Sequence, residues 1–171
     1  LDGEPYLVGP LARLNINNNK LHSKVKVLCG ELGVRFPSRN MFDSIVARGV
    51  ELLQMIRESV VLLEQYQRPS QPWSEFSPKA GVAFGATCAP RGMLWHRYQL
   101  DAEGKIQSAQ IVPPTSQNQA RIEADLYYSL NQFGLDRSQE AIKLHGEQVI
   151  RNYDPCISCA THFLDLRMKQ V

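Results

Sequence analysis

Between residues 42 and 63, apolar side chains recur at a spacing that only an α-helix can use. Phe42, Ile45, Val46, Val50, Leu53, Ile56, Val60 and Leu63 follow one another at steps of one, three and four, and no proline interrupts the pattern before Pro69. Asn40, with Asp43 three residues on, is a capping signal at its start. Such a helix is about 30 Å long, the width of a small domain, so a compact chain has to be built along it. The spacing therefore predicts one long, buried helix.

The chain has 171 residues, of which 43% are hydrophobic and 21% charged, enough for one soluble domain with a core. Nineteen basic residues against 17 acidic give a net charge of +2, and no Lys/Arg-rich run interleaved with aromatics tracks along the sequence, which argues against a nucleic-acid partner. The most hydrophobic stretch, around Val60-Val61-Leu62-Leu63, is broken by Arg57, Glu58 and Glu64. No segment reaches the roughly 20 apolar residues of a membrane span. Leu1 to Tyr6 has neither an initiator methionine nor the layout of a signal peptide, so the sequence is expected to start inside a longer protein or after processing. Cysteines at 29, 88, 156 and 159 make a poor disulfide framework and fit a reducing cytoplasm.

Residues 1 to 38 mix turn signals (Pro5, Gly9-Pro10, Asn15 to Asn19) with a weaker helical pattern at Leu21, Val25, Val27 and Leu28. This predicts an extended lead-in followed by one short helix. Pro69, Pro72 and Pro78, among serines and the aromatics Trp73 and Phe76, predict an ordered loop. Two β-prone runs, Gly92 to Leu100 and Lys105 to Val112, flank Asp101-Ala102-Glu103-Gly104 and predict an antiparallel hairpin. Ile122, Leu126, Leu130 and Phe133 make a helical stripe stopped by Gly134. Asp136, with Gln139 three residues later, opens a last helix carrying Ile142, His145 and Val149. The fold class expected is α+β, mainly α, with helices packed around one antiparallel hairpin or small sheet. A single domain is expected to span residues 1–171.

That last helix delivers the chain to Asp154-Pro155-Cys156-Ile157-Ser158-Cys159-Ala160-Thr161-His162. Two thiolates and an imidazole this close form a metal-ligand grouping, and three ordinary readings are open for the pair: half of a zinc site, a redox pair, or two unremarkable cysteines. Structural zinc wants four closed ligands, and Cys29 and Cys88 are single and far apart. A redox pair is expected at a helix start after a strand, whereas this one follows a helix. More informative is the company it keeps. Cys88-Ala89-Pro90-Arg91-Gly92 precedes the hairpin and Val112-Pro113-Pro114-Thr115 follows it, so a closed hairpin brings Arg91 and Pro113 to Thr115 to one pocket.

These motifs together resemble the large subunit of nickel-iron hydrogenases. Asp-Pro-Cys-x-x-Cys-x-x-His near the C-terminus, Ala-Pro-Arg-Gly before a hairpin and a Val-Pro-x-Thr turn after it occur there in this order. So do a lead-in like Tyr6-Leu7-Val8-Gly9-Pro10-Leu11-Ala12-Arg13 and a helix with Ala47-Arg48-Gly49-Val50-Glu51. The resemblance covers nearly the whole chain, as the C-terminal portion of that subunit. Pro113-Pro114-Thr115-Ser116-Gln117-Asn118-Gln119 looks closest to the cytoplasmic, pyridine-nucleotide-linked branch that includes sulfhydrogenases.

The resemblance implies a nickel centre bridged to iron carrying two cyanides and a carbonyl. In it, Cys156 would be a terminal nickel thiolate and Cys159 a bridge to iron, since soft sulfur suits both metals. Arg91 would lie over the diatomic ligands where H2 is split, Pro113, Pro114 and Thr115 would complete that pocket, and His162 would sit near a buried magnesium or equivalent ion. The implied reaction is reversible cleavage of H2 into a proton and a hydride, with electrons leaving through iron–sulfur clusters of a separate small subunit. A maturation protease would remove Phe163 to Val171; a C-terminal helix is the alternative for that tail.

The family's N-terminal Arg-x-Cys-x-x-Cys is not in this sequence, so an N-terminal half of the large subunit would have to supply it, and Cys88 stands where the family usually has glutamate. Cys88 is read as a neutral replacement rather than an extra ligand, and Cys29 as a small buried hydrophobe on a helix. His96 and Tyr98 read as packing residues, His22 and His145 as ordinary surface or core histidines, and Glu51 and Glu58 as a solvated helix face. Two other functions remain open: a non-catalytic hydrogenase-derived interaction domain, and a simple metal or redox protein using Cys156, Cys159, Cys88 or His162.

Overall fold

A computed structural model describes residues 3–156. Residues Cys159, His162 and the tail Phe163 to Val171 lie outside them. The order is α1 (Pro10–Asn17), a single 3-10 turn (Asn18–Lys20), α2 (Ser23–Glu31), α3 (Asp43–Glu64), strands β1 (Gly81–Ala89), β2 (Gly92–Leu100) and β3 (Ile106–Val112), then α4 (Pro114–Gln117), α5 (Gln119–Phe133) and α6 (Gln139–Arg151). The architecture is mixed α and β, with a three-stranded antiparallel sheet in the order β1-β2-β3.

The predicted hairpin is β2-β3, paired from Trp95 opposite Val112 to Leu100 opposite Ile106. Its turn closes as its sequence requires: Asp101 N–H donates to Lys105 O at 3.0 Å, and Gly104 takes the φ of +81° that a side chain resists. The sheet has a third strand that the sequence did not signal, because Gly81-Val82-Ala83-Phe84-Gly85-Ala86 alternates too many small residues with its few large ones to read as a strand. It pairs along its whole length with β2.

Three other expectations are corrected. The lead-in is not extended throughout, since Pro10 fits the first helical position and starts α1. Asn40 does not cap α3: its Oδ1 accepts from Phe42 N–H at 3.1 Å in the turn before, and the helix begins at Asp43. Ser138, not Asp136, caps α6, its Oγ accepting from Ala141 N–H at 3.3 Å. Gly134 ends α5 as predicted, at φ +97° with its N–H on Leu130 O at 3.0 Å.

The core joins α1 to α3. Leu11 and Leu14 pack on Ala47, which is fully out of water, with Leu7, Leu21, Phe36 and Val50 around them. The expectation of a buried long helix fails here: on α3 only Ala47 and Gln54 are buried. Periodicity fixes which residues share a helix face, but it does not say which face is covered. At the other end of the chain Ile142 and Val149 of α6 are buried where it lies along α5. Among the described residues no helix is long and apolar enough to cross a membrane.

Candidate functional site

The site grows from the turn between β1 and β2. Ala89 pairs with Gly92, leaving Pro90 and Arg91 as a two-residue loop. Two glycines let other backbone come against this loop. Gly92 has φ +140°, and a Cβ there would lie 2.6 Å from Val8 Cγ2 and 2.9 Å from Pro114 Cβ; Gly9 has φ +115°, and a Cβ there would lie 2.8 Å from Arg91 O. The lead-in thus runs on one side of the loop and the Pro113 to Thr115 corner on another. Asn118, nearly fully buried, fixes the lead-in by accepting from Val8 N–H (2.8 Å) and donating to Val8 O (3.0 Å).

Arg13 of α1 holds the same loop from below. Its Nε and Nη2 donate to the two oxygens of Glu51 on α3, each at 2.7 Å. Its Nη1 also donates to Ala89 O at 3.0 Å and its Nη2 to Pro90 O at 2.7 Å. The bond to Glu51 is the main reason the Arg13 pKa is raised, against the opposing effect of burial. Cys88 is exposed, with its Sγ 3.5 Å from Arg13 Nη1. It stands at the edge of a largely apolar cleft of about 400 Å³ between the lead-in and β1, which Ile16, Ala86 and Met93 also line. The reading of Glu51 as solvent-facing is corrected: its place opposite the apolar stripe is the side of α3 that meets α1.

The Asp-Pro-Cys segment arrives from the end of α6. Tyr153 donates to the buried Asp125 of α5, whose carboxylate also pairs with Arg121. Burial, and then the bond to Asp125, push the Tyr153 phenol well above its ordinary range. Arg48 Nη1 donates to Asn152 O at 3.0 Å. Asp154 sits at φ +48°, and its carbonyl accepts from Arg91 Nε at 2.6 Å while its Oδ2 lies 3.2 Å from the same nitrogen. Two residues on, Cys156 N–H donates to Thr115 Oγ1 at 3.3 Å.

Of the residues singled out in the sequence, Arg91, Pro114, Thr115 and Cys156 therefore come together, with Pro113 extended at the corner before α4. Pro114 and Thr115 are buried and Cys156 is half-buried. Cys29 is half-buried on α2, its thiol pKa raised by that burial. His145 stacks on Phe133 at 4.1 Å and bonds Ser129 Oγ at 2.8 Å, a packing role as expected. His96 lies edge-on to Tyr98, with Nε2 buried and unpartnered among the described residues.

Of Arg13, Glu51 and Asn118, the sequence names Arg13 and Asn118 only as members of longer motifs and reads Glu51 as part of a solvated helix face. The signal for the first two was a charge of each sign on elements destined to touch, and for Asn118 an amide shortly after the proline corner. Among the described residues no group of three or more His, Cys, Asp or Glu could hold a metal ion. What the described segment offers is one soft sulfur, at Cys156, whose backbone N–H is held by a hydroxyl and which follows, two residues on, a carbonyl held by a guanidinium. This fits part of a thiolate-bound metal centre rather than a closed four-ligand site.

The profile of the family described as nickel-dependent hydrogenase matches residues 1–162. The chain is similar to the alpha chain of sulfhydrogenase 1 from Pyrococcus furiosus, with 31% identity over 166 residues covering 96% of this chain and 38% of that protein. It is similar also to an F420-non-reducing hydrogenase chain of Methanothermobacter marburgensis, with 39% identity over 173 residues covering 96% and 36%. Among solved structures, an NAD+-reducing NiFe-hydrogenase in the H2-reduced state superposes with a TM-score of 0.72 at 27% identity, over 94% of this chain and 37% of that one. The chain thus spans less than two-fifths of the length of these relatives.

Proposed function

Because this chain belongs to the nickel-dependent hydrogenase family, we propose that it is the C-terminal portion of a hydrogenase large subunit, contributing one half of a nickel–iron centre. The observation that carries the reading is the pair of ties on the Asp154 to Cys156 segment. Arg91 Nε holds Asp154 O at 2.6 Å and Thr115 Oγ1 holds Cys156 N–H at 3.3 Å. Three separate sequence motifs meet at the backbone of residues 154 to 156.

In this reading Cys156, with Cys159, holds nickel and iron, and the remaining two thiolates come from an N-terminal half bearing Arg-x-Cys-x-x-Cys. His162 serves a neighbouring magnesium-type site. When bound, the centre supplies soft-metal polarisation of H2, giving two protons and two electrons overall, the electrons passing to iron–sulfur clusters of a small subunit.

The chain's own groups have definable tasks. Arg91 keeps a permanent positive charge at Asp154, two residues before Cys156, and its Nε is committed there, so Nη1 and Nη2 are the nitrogens left to face diatomic ligands or a transferring proton. Pro113 and Pro114 present apolar ring surface with no N–H donors at the corner next to the β1-β2 loop. Thr115 Oγ1 fixes the backbone of Cys156, orienting the sulfur. The reading includes a cytoplasmic location.

Metal analysis and infrared spectroscopy on the protein purified with its co-purifying subunits test this. Nickel is expected, with iron in excess of it because the small subunit's iron–sulfur clusters add to the iron of the centre, together with cyanide and carbonyl bands; a complete complex lacking nickel and those bands leaves the non-catalytic interaction domain as the reading.

A further inference from the structure

Arg91 and Asp154 have side chains 38% and 43% exposed, too open for packing alone to fix them. The precision of their pairing has to come from the backbone on which each is hung. Asp154 sits at φ +48°, a left-handed conformation that persists in a residue with a side chain only where its surroundings hold it.

Both backbones lead back to one turn of α3. Arg48 Nη1 donates to Asn152 O at 3.0 Å, and Asn152, nearly fully buried, stands two residues before Asp154. One helical turn along, on the same face of α3, Glu51 takes Arg13 in two prongs at 2.7 Å. Arg13 in turn donates to Ala89 O at 3.0 Å and to Pro90 O at 2.7 Å, directly before Arg91. The bond from Arg91 Nε to Asp154 O at 2.6 Å closes the ring, which runs from α3 through the end of α6, the β1-β2 loop and α1 back to α3. Ala47, fully out of water next to Arg48, seats this turn in the core. A two-residue loop and the chain after a helix end do not fix their own separation; a seated helical turn does.

We propose that Arg48 and Glu51, the latter through Arg13, are positioning residues for the proposed reaction, holding Arg91 and the Asp154 to Cys156 segment in register from a single turn of α3. The inference rests on the proposed function and adds the residues that set its geometry.

The test uses the full large subunit with its small subunit, made without nickel and with it. Glu51→Gln keeps the shape of the side chain and removes its charge; Arg48→Met keeps an unbranched stem and removes the donor. In the nickel-free complex each is expected to accelerate amide exchange at Cys156 about three- to tenfold relative to Leu130 to Phe133 of α5. Arg48→Lys, which keeps a donor, is expected to stay within about twofold of wild type. Val25→Ala, a cavity in the core at α2 and outside the ring, is expected to leave the ratio unchanged. In the nickel-loaded complex Glu51→Gln and Arg48→Met are expected to shift the cyanide infrared bands and to lower kcat about tenfold at unchanged KM for H2, and Val25→Ala to do neither. Arg13→Lys, a milder break in the same ring, replaces either variant if it does not assemble. A wild-type exchange ratio in Glu51→Gln, equal acceleration in Val25→Ala, or unshifted cyanide bands in the loaded variants overturns the inference. A wild-type complex without cyanide bands removes the proposed function, whereas the exchange ratio still decides whether α3 holds the two segments in register.

Discussion

Arg13 and Glu51 meet in a two-pronged ion pair, with both N···O distances 2.7 Å, and the remaining donor capacity of Arg13 goes to the carbonyls of Ala89 and Pro90, directly before Arg91. A charge on α1 and a charge on α3 thereby set the position of a loop on the sheet. The planar fork of a guanidinium can do this; the single ammonium of a lysine cannot hold the carboxylate in two prongs and both carbonyls at once.

Arg13→Lys is accordingly expected to destabilise the protein by about 1–2 kcal/mol and Arg13→Ala by about 2–3 kcal/mol, the pair being partly exposed and so partly screened. Urea unfolding measures both. Equal stability of all three proteins would show that the loop holds itself.

Substituting Gly92 probes the tight packing of that loop. Gly92→Ala puts a methyl group within 3 Å of Val8 and Pro114 at a φ that side chains resist, and a loss of about 2–4 kcal/mol is expected. The same change at Gly49, where no atom lies within 4 Å, is expected to be neutral or slightly stabilising because helical glycine is replaced by a better helix former. Thermal denaturation of the two variants side by side decides it.

Thr115→Val keeps the shape of the corner and removes the acceptor for Cys156 N–H. Amide exchange at Cys156 should accelerate roughly three- to tenfold, which corresponds to about 0.7–1.4 kcal/mol, a typical net hydrogen bond. Exchange at Leu130 to Phe133 in α5, remote from the change, serves as the internal reference.

Tyr153 gives the fold a pH dependence of known sign. Its phenol is raised in the folded state, so the folded protein holds that proton more tightly than the unfolded chain does. The stabilisation is complete below the ordinary tyrosine range, near about pH 10, and is lost as pH rises from there through the raised value. Tyr153→Phe should flatten the fall in stability between about pH 10 and 11. In the folded wild type, tyrosinate absorbance at about pH 11 should not increase through this residue. An unchanged alkaline slope in the variant would mean that the Asp125 contact does not hold the proton.

Much of this was legible in the chain itself. The β2-β3 hairpin was readable because Asp101 to Gly104 carries the turn chemistry locally, and Gly134 announced the end of α5 for the same reason. The order of motifs around Arg91, Pro113 to Thr115 and Cys156 also sufficed to state the family. Strand β1 was not legible, because glycine and alanine leave its pairing to be decided by β2. The caps at Asn40 and Asp136 failed because a capping residue competes with neighbours one or two positions away for the same few orphan N–H groups.

What the sequence alone determined, then, was the set of local elements and the chemical character of the site residues, since turn, cap and periodicity signals act over a few residues. What the tertiary structure decided was which surfaces meet. The stripe of α3 was visible as a stripe, but its outward direction depends on α1 claiming the opposite face through Leu11, Leu14 and Arg13. Likewise Arg91 and Asp154 are 63 positions apart, and only the crossing of the β1-β2 loop with the end of α6 brings a guanidinium to a carbonyl two residues before Cys156. Such contacts arise from the mutual exclusion of whole elements packing in three dimensions, and no local pattern along the chain encodes them.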